Sequence, residues 1–227
     1  HCILTSSGAM ANENALKLLF HHQPNKNRIL AFEQCFMGRT LSLAQITDKA
    51  KYRSGLPTTI HVDHVPFFVN KNRSKSLKKT IQKIKQLLIR HPNKYAGMCM
   101  ELIQGEGGYN IGNTEFFKEI ISLLKNENIP ILIDEVQTFG RTSELFSAQH
   151  FDIINDVDII TIGKLSQVCA TIYRKKLKPA PGLISQTYTS STTAIECGYQ
   201  IINHLIKSQH FGKKGKNRSE EHTSELQ

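Results

Sequence analysis

Short, nearly unbroken apolar runs alternate along this chain with longer stretches whose apolar residues recur at helical spacing. ALKLLF, from Ala15, follows a polar turn and reads as helix, with a start expected near Ala11, while RILAF, from Arg28, reads as a strand. A Lys-rich segment beginning at Lys71 leads into a helix whose apolar side is expected to carry Leu77, Ile81, Ile84 and Leu88. AGMCMELI reads as strand, and FFKEIISLLKNEN as a helix that lays Phe117, Ile120, Ile121 and Leu124 on a sheet. IPILIDEV and DIITIGK stay apolar until a polar end, as strands buried on both faces do. HCILTSSGAM, at the start, reads as the end of a further strand. This order predicts an α/β fold, a mostly parallel sheet flanked by helices. Ligands gather at the carboxyl ends of such strands, which is where Glu101, Asp134 and Lys164 fall.

Composition narrows the picture. With 227 residues, 39% of them hydrophobic, the chain can bury one large core. No apolar run approaches the ~20 residues needed to span a bilayer, and the opening residues lack the basic-then-apolar order of a secretory signal. A cytoplasmic, membrane-free protein is expected. Without an initiator Met, the chain reads as a piece truncated at both ends: a partial large domain over residues 1–217, then RSEEHTSELQ from Arg218 to Gln227. That tail has no periodicity, resembles a translated sequencing adapter, and is set aside as non-native. The five cysteines show no CxxC pairing and are expected to be small buried hydrophobes in a reducing compartment; no metal site is expected.

A net charge of +10 raises the question of nucleic acid. The charge lies in local runs, Lys71 to Lys79, Arg174 to Lys178 and Lys213 to Arg218, and no aromatic ladder interleaves with them. These runs are read as solvated surface.

Asp134 at the end of ILIDEV suits two chemistries. As the magnesium carboxylate of a P-loop ATPase it would need GxxxxGK[ST] on an earlier strand. Gly163-Lys164 comes after Asp134, has Asp158 where the first glycine should stand and is followed by Leu165, so that reading fails. The other chemistry pairs a buried carboxylate with a lysine at another strand end, as pyridoxal phosphate requires. The lysine amine forms a Schiff base with the aldehyde, and the carboxylate keeps the ring nitrogen protonated. Alone, the two residues are better read as a buried ion pair or as strand-end charges.

The surrounding words decide between these. SSGAMANENALK, FMGRT, ELIQGEGG, ILIDEVQTFGRT and DIITIGK occur in that order. Together they resemble the class III aminotransferases of fold type I (the ornithine, acetylornithine and γ-aminobutyrate type), from about Ile3 to about Leu205. The resemblance implies the large domain of that fold and pyridoxal 5'-phosphate as cofactor. It implies that Ser7, Gly8 and Ala9 form the phosphate-binding turn and that Phe36 stacks on the ring. Asp134 would partner the ring nitrogen, Gln137 would lie beside the ring hydroxyl, and Lys164 would be the Schiff-base lysine. Glu101 and Glu106 would line the substrate site, Glu106 pairing with an arginine for which this chain shows no match. Thr187, in QTYTSSTTA, would complete the phosphate site of a neighbouring subunit, which implies a homodimer.

The departures are specific. Met10 and Met37 stand where an acidic residue and a His are usual, and Leu102 replaces a Pro. DEVQTFGR lacks a Gly before the aromatic, and Thr189 and Ser190 replace a glycine pair. GKLSQVCATIY is similar to the lysine ε-aminotransferase branch. The expected reaction is transamination from an amino acid or ω-amine to a keto acid such as 2-oxoglutarate, with Lys164 and Asp134 catalytic. The alternatives are an aminomutase or decarboxylase on the same scaffold, or a chain that binds cofactor without turnover.

Overall fold

The computed structural model describes residues 1–208 and residue 211. In chain order the elements are β1 (Cys2–Thr5), α1 (Gly8–His22), β2 (Arg28–Phe32), α2 (Leu43–Ile46), β3 (His61–Val65), α3 (Arg73–Arg90) and β4 (Tyr95–Met100). A small hairpin of β5 (Ile103–Gln104) and β6 (Asn110–Ile111) precedes α4 (Thr114–Asn126) and β7 (Ile131–Asp134). Then come α5 (Ser147–His150), β8 (Ile159–Ile162), β9 (Cys169–Tyr173) and α6 (Thr192–Lys207).

Seven strands form one sheet in the order β1-β9-β8-β7-β4-β2-β3. From β3 to β8 every pairing is parallel, and β9 runs antiparallel to both its neighbours. The mostly parallel α/β sheet is therefore present. Side chains alternate across it, as the two-residue period of a strand requires. On β7, Leu132 joins a core under α1 that also holds Leu18, Leu19, Ile29 and Ile159. Ile131 and Ile133 join the opposite core, with Phe32, Phe116, Phe117 and Ile120 under α3 and α4. Asp134 thus shares the α1 side with Leu132, and Glu135 follows on the other side.

Several expectations need correction. Helix α1 starts at Gly8 rather than near Ala11, because Ser7 adopts an extended backbone and its Oγ accepts the Met10 N–H at 3.2 Å. On α3 the buried stripe is Ser76, Thr80, Ile84 and Leu87, with Leu77, Ile81 and Leu88 at its partly buried margin. Two hydroxyls turn inward there because both find acceptors in the preceding loop, Ser76 at the Phe67 carbonyl and Thr80 at the Pro66 carbonyl. Cys35, Cys99 and Cys169 are buried thiols, but Cys2 and Cys197 are exposed: one lies on the edge strand, the other on a helix whose sole buried residue is Gly198. The lysines of the Lys71–Lys79 run are exposed, as expected. The run Lys213–Arg218 and the tail lie outside the described residues. Among the described residues no helix is long and apolar enough to cross a membrane, and no cluster of His, Cys, Asp and Glu could hold a metal.

Candidate active site

The turn between β1 and α1 builds one wall. Gly8 is packed so closely that a Cβ there would lie 2.9 and 3.0 Å from the two methyl carbons of Val136. Only glycine lets the backbone come this near the turn that follows β7. The first turn of α1 carries no acidic side chain, Met10 standing where one is usual, so the positive end of a fifteen-residue helix is left uncompensated. Backbone amides at such an end attract an anion.

Asp134 forms the floor. It ends β7, buried, with Oδ1 accepting the Val136 N–H at 2.8 Å and Oδ2 accepting Asn12 Nδ2 at 2.7 Å. Burial pushes its carboxyl up to about 6 against those two donors and the nearby positive charge of Lys164. Glu101, just past β4, accepts the Phe36 N–H at 2.7 Å and the Gly105 N–H at 3.2 Å. Burial, reinforced by the charge of Asp134, raises it to about 8. Of the two, Glu101 is the more readily protonated and Asp134 the more readily ionised.

Lys164 follows β8 directly. Its φ of 52° is in the left-handed region, rare for a residue with a side chain and a cost of roughly 1 kcal/mol that its surroundings must offset. The strand ladder supplies that support, since Ile162 pairs with Ala170 across the turn. Gly163 fits close beneath, where a Cβ would lie 2.8 Å from Cys169 Sγ. Lys164 is exposed and, among the described residues, forms no ion pair, with Asp134 or with any other carboxylate.

These walls enclose a cavity of about 470 Å³, a size suited to a small organic cofactor. Eight expected residues line it: Gly8, Ala9, Phe36, Glu101, Glu106, Asp134, Gln137 and Lys164. Ser7 stands just outside as the cap of α1. Phe36 is half-buried and meets the ring of Tyr52 edge-on at 6.2 Å. Glu106 has its partner within the chain, Lys49 at 3.1 Å, rather than an arginine. Thr187 is exposed and does not line the cavity.

Sequence reasoning passed over several lining residues: Asn12, Arg39, Thr40 and Cys169. Asn12 was discoverable, since it lies four positions after Gly8 and hence on the same helix face. Arg39, inside FMGRT, is exposed, sits 5.7 Å from the Tyr52 ring centroid and forms no ion pair among the described residues. Glu135 was also missed; it is buried on the far side of the sheet and accepts the Ser147 and Ala148 N–H groups at 2.7 and 2.9 Å.

The donor set fits a phosphorylated pyridine aldehyde. A helix start with small residues at Gly8 and Ala9 faces the cavity for the anion, an aromatic ring lies beside it, a buried carboxyl forms its floor, and a lysine with no ion-pair partner among the described residues lines it.

Comparison with known proteins agrees with this reading. The description "Aminotransferase class-III" belongs to the family whose sequence profile matches residues 1–226. An acetylornithine/succinyldiaminopimelate aminotransferase from Photorhabdus laumondii is 34% identical over 215 residues, covering 87% of this chain and 49% of that protein. An acetylornithine aminotransferase from Prochlorococcus marinus is 35% identical over 209 residues, covering 88% and 49%. The chain thus spans about half the length of these curated relatives. Among solved structures, a lysine aminotransferase from M. tuberculosis superposes with a TM-score of 0.84 at 22% identity, over 100% of this chain and 59% of that one. An ω-transaminase from Thermomicrobium roseum also gives 0.84, at 21% identity, over 92% and 52%. At such identities the two structures speak for the fold, that of fold type I aminotransferases, and the sequence matches speak for descent. The chain belongs to the class-III aminotransferase family.

Proposed function

We propose that this chain is the cofactor-binding part of a pyridoxal-phosphate-dependent aminotransferase, which moves an amino group from an amino acid or ω-amine to a keto acid such as 2-oxoglutarate. The observation that carries the reading is that the buried carboxyl of Asp134 and Lys164, which has no ion-pair partner among the described residues, line one cavity. Bound there, pyridoxal phosphate supplies an electron sink for the electrons left when a substrate α-carbon loses its proton.

The chain's own residues divide the remaining work. Ser7, Gly8 and Ala9, at the open end of α1, hold the phosphate. Phe36 would stack on the ring and Gln137 would serve the ring hydroxyl, both lining the cavity. Asp134 would offer a negative charge to the ring nitrogen, and burial beside it makes Glu101 the carboxyl that gives up its proton less readily. Lys164 Nζ would anchor the cofactor and, once displaced by the donor amine, would carry the proton from the substrate α-carbon to the cofactor C4′. Arg39, whose guanidinium has no carboxylate partner among the described residues, receives a substrate carboxylate. Lys49 holds Glu106 at the rim. Thr187 lies away from its own cavity and completes that of a second copy, in a homodimer. Free cysteines and the lack of a membrane-crossing helix among the described residues support a cytoplasmic site of action.

Lys164→Ala tests the reading. Amino transfer to 2-oxoglutarate should vanish, together with the absorbance of lysine-bound cofactor; a variant that keeps its transaminase activity would overturn the assignment.

A further inference from the structure

Asn12 uses its whole amide. Its Nδ2 donates to the Met37 carbonyl at 2.8 Å and to Asp134 Oδ2 at 2.7 Å, while its Oδ1 accepts the Thr161 hydroxyl at 2.7 Å. The rotamer is fixed by chemistry. A backbone carbonyl can only accept, and so can a carboxylate, so turning the amide over would set its oxygen against two acceptors. Thr161 is fully buried on β8, beside β7, and spends its one proton on Asn12. A helix, two strands and the segment after β2 therefore converge on one side chain, and all of it is out of water.

We propose that Asn12, held in place by Thr161, is the positioning residue that keeps Asp134 an oriented carboxylate facing the cavity. The proposal rests on the reading of Asp134 as the partner of the cofactor ring, and explains how that carboxylate keeps its charge. Other groups near Asp134 do little to help: Cys99 and Glu101 belong to β4 and its end, Cys169 starts β9, and of these neighbours only Lys164 favours the charged form. The Val136 N–H holds one oxygen; without Asn12 the other would have no donor, and the carboxyl would take up a proton more readily. The Asn12 bond also sets which way the second oxygen turns.

Three substitutions probe the anchor with little change of shape. Thr161→Val removes the hydroxyl, and Thr161→Ser restores it; Asn12→Asp turns the donor into an acceptor. In the full chain without cofactor, NMR titration of the Asp134 carboxyl should show its pKa raised by about one unit in Thr161→Val, more in Asn12→Asp, and returned towards the parent value in Thr161→Ser. The acid limb of pyridoxal phosphate binding, followed by the absorbance of lysine-bound cofactor, should move up in parallel, weakening binding about tenfold on that limb. Identical Asp134 titrations in the parent, Thr161→Val and Thr161→Ser overturn the proposal even if cofactor binds normally. Failure of the parent to bind pyridoxal phosphate through Lys164 overturns the functional reading instead, while the titration still decides the role of Asn12. Should Asn12→Asp fail to fold by circular dichroism, the Thr161 pair decides by itself.

Discussion

Asp134 and Glu135 are neighbours in sequence, both buried, both carboxylates, and they stand on opposite sides of the sheet. Glu135 faces the α4 side, where the backbone amides of Ser147 and Ala148 and the Thr138 hydroxyl donate to it. It ties the start of α5 and the loop before it to the end of β7. Asp134 faces the cavity with two donors, from Val136 and Asn12, and an open direction beyond. Burial raises both carboxyls, Glu135 to about 7 and Asp134 to about 6. The raised value therefore does not tell a working carboxylate from a structural one. What differs is saturation: one has its oxygens filled by the protein, and the other is held but left facing empty space.

That contrast predicts a crossed pair of effects, beginning with the largest. Asp134→Asn should lower the transamination rate by about 10³-fold, the scale of losing a preorganised charge in a dry site, while changing unfolding stability by no more than about 1 kcal/mol. Steady-state kinetics beside urea unfolding will show whether the two quantities separate. Glu135→Ala should do the reverse. It strands two buried amides and should cost about 3 kcal/mol in the same unfolding measurement, with the folded fraction turning over normally. Equal losses of rate and stability in both variants would erase the distinction.

Smaller effects sharpen it. Gly8→Ala should weaken pyridoxal phosphate binding about tenfold, because the added methyl collides with Val136; Val136→Ala in the same chain should recover most of the loss by making room. A weaker signal lies in pH. Glu101, Glu135 and Asp134 all have folded values above the ~4 of an unfolded carboxyl, so the folded state holds protons the unfolded one has released. Their contribution favours folding at low pH and is lost as pH rises through about 6 to 8. Glu101→Gln removes the uppermost of these, so the variant should gain thermal stability over the parent between pH 6 and 9, measured as a widening difference in Tm. A constant difference would show that Glu101 is not held protonated.

The parallel strands were legible because β2, β4, β7 and β8 are apolar on both faces, and α1, α3 and α4 because their faces recur at helical spacing. Three of the longer elements were not. Strand β3 carries His61, Asp63 and His64, and it lies at the sheet's edge, where one side needs no apolar cover. Strand β9 follows Lys164 so closely that its residues read as part of the motif. Helix α6 buries one residue, Gly198, leans Ile202 partly on the core and leaves Tyr199 and Ile206 61% and 58% exposed, so much of its apolar pattern meets no core among the described residues. In the cavity, residues that bear the expected chemistry were found from their words. Asn12 could be placed only by its helical spacing from Gly8, and Thr161 not at all, because a hydroxyl carries no chemical signature until a fold brings it to its partner. Glu135 could have been separated from Asp134 by strand alternation alone, one position meaning one face.

The turn bearing Lys164 is pinned at both ends, by Ile162 on one strand and Ala170 on its antiparallel return. A loop so tethered has little backbone travel to offer. In the role proposed for Lys164, any distance the amine covers between carrying its cargo and standing aside would come from rotation about the four carbons of its own stem. Its reach would then be a matter of side-chain length, and an analogue one methylene shorter at this position is expected to fall short, however well the surrounding pocket is preserved.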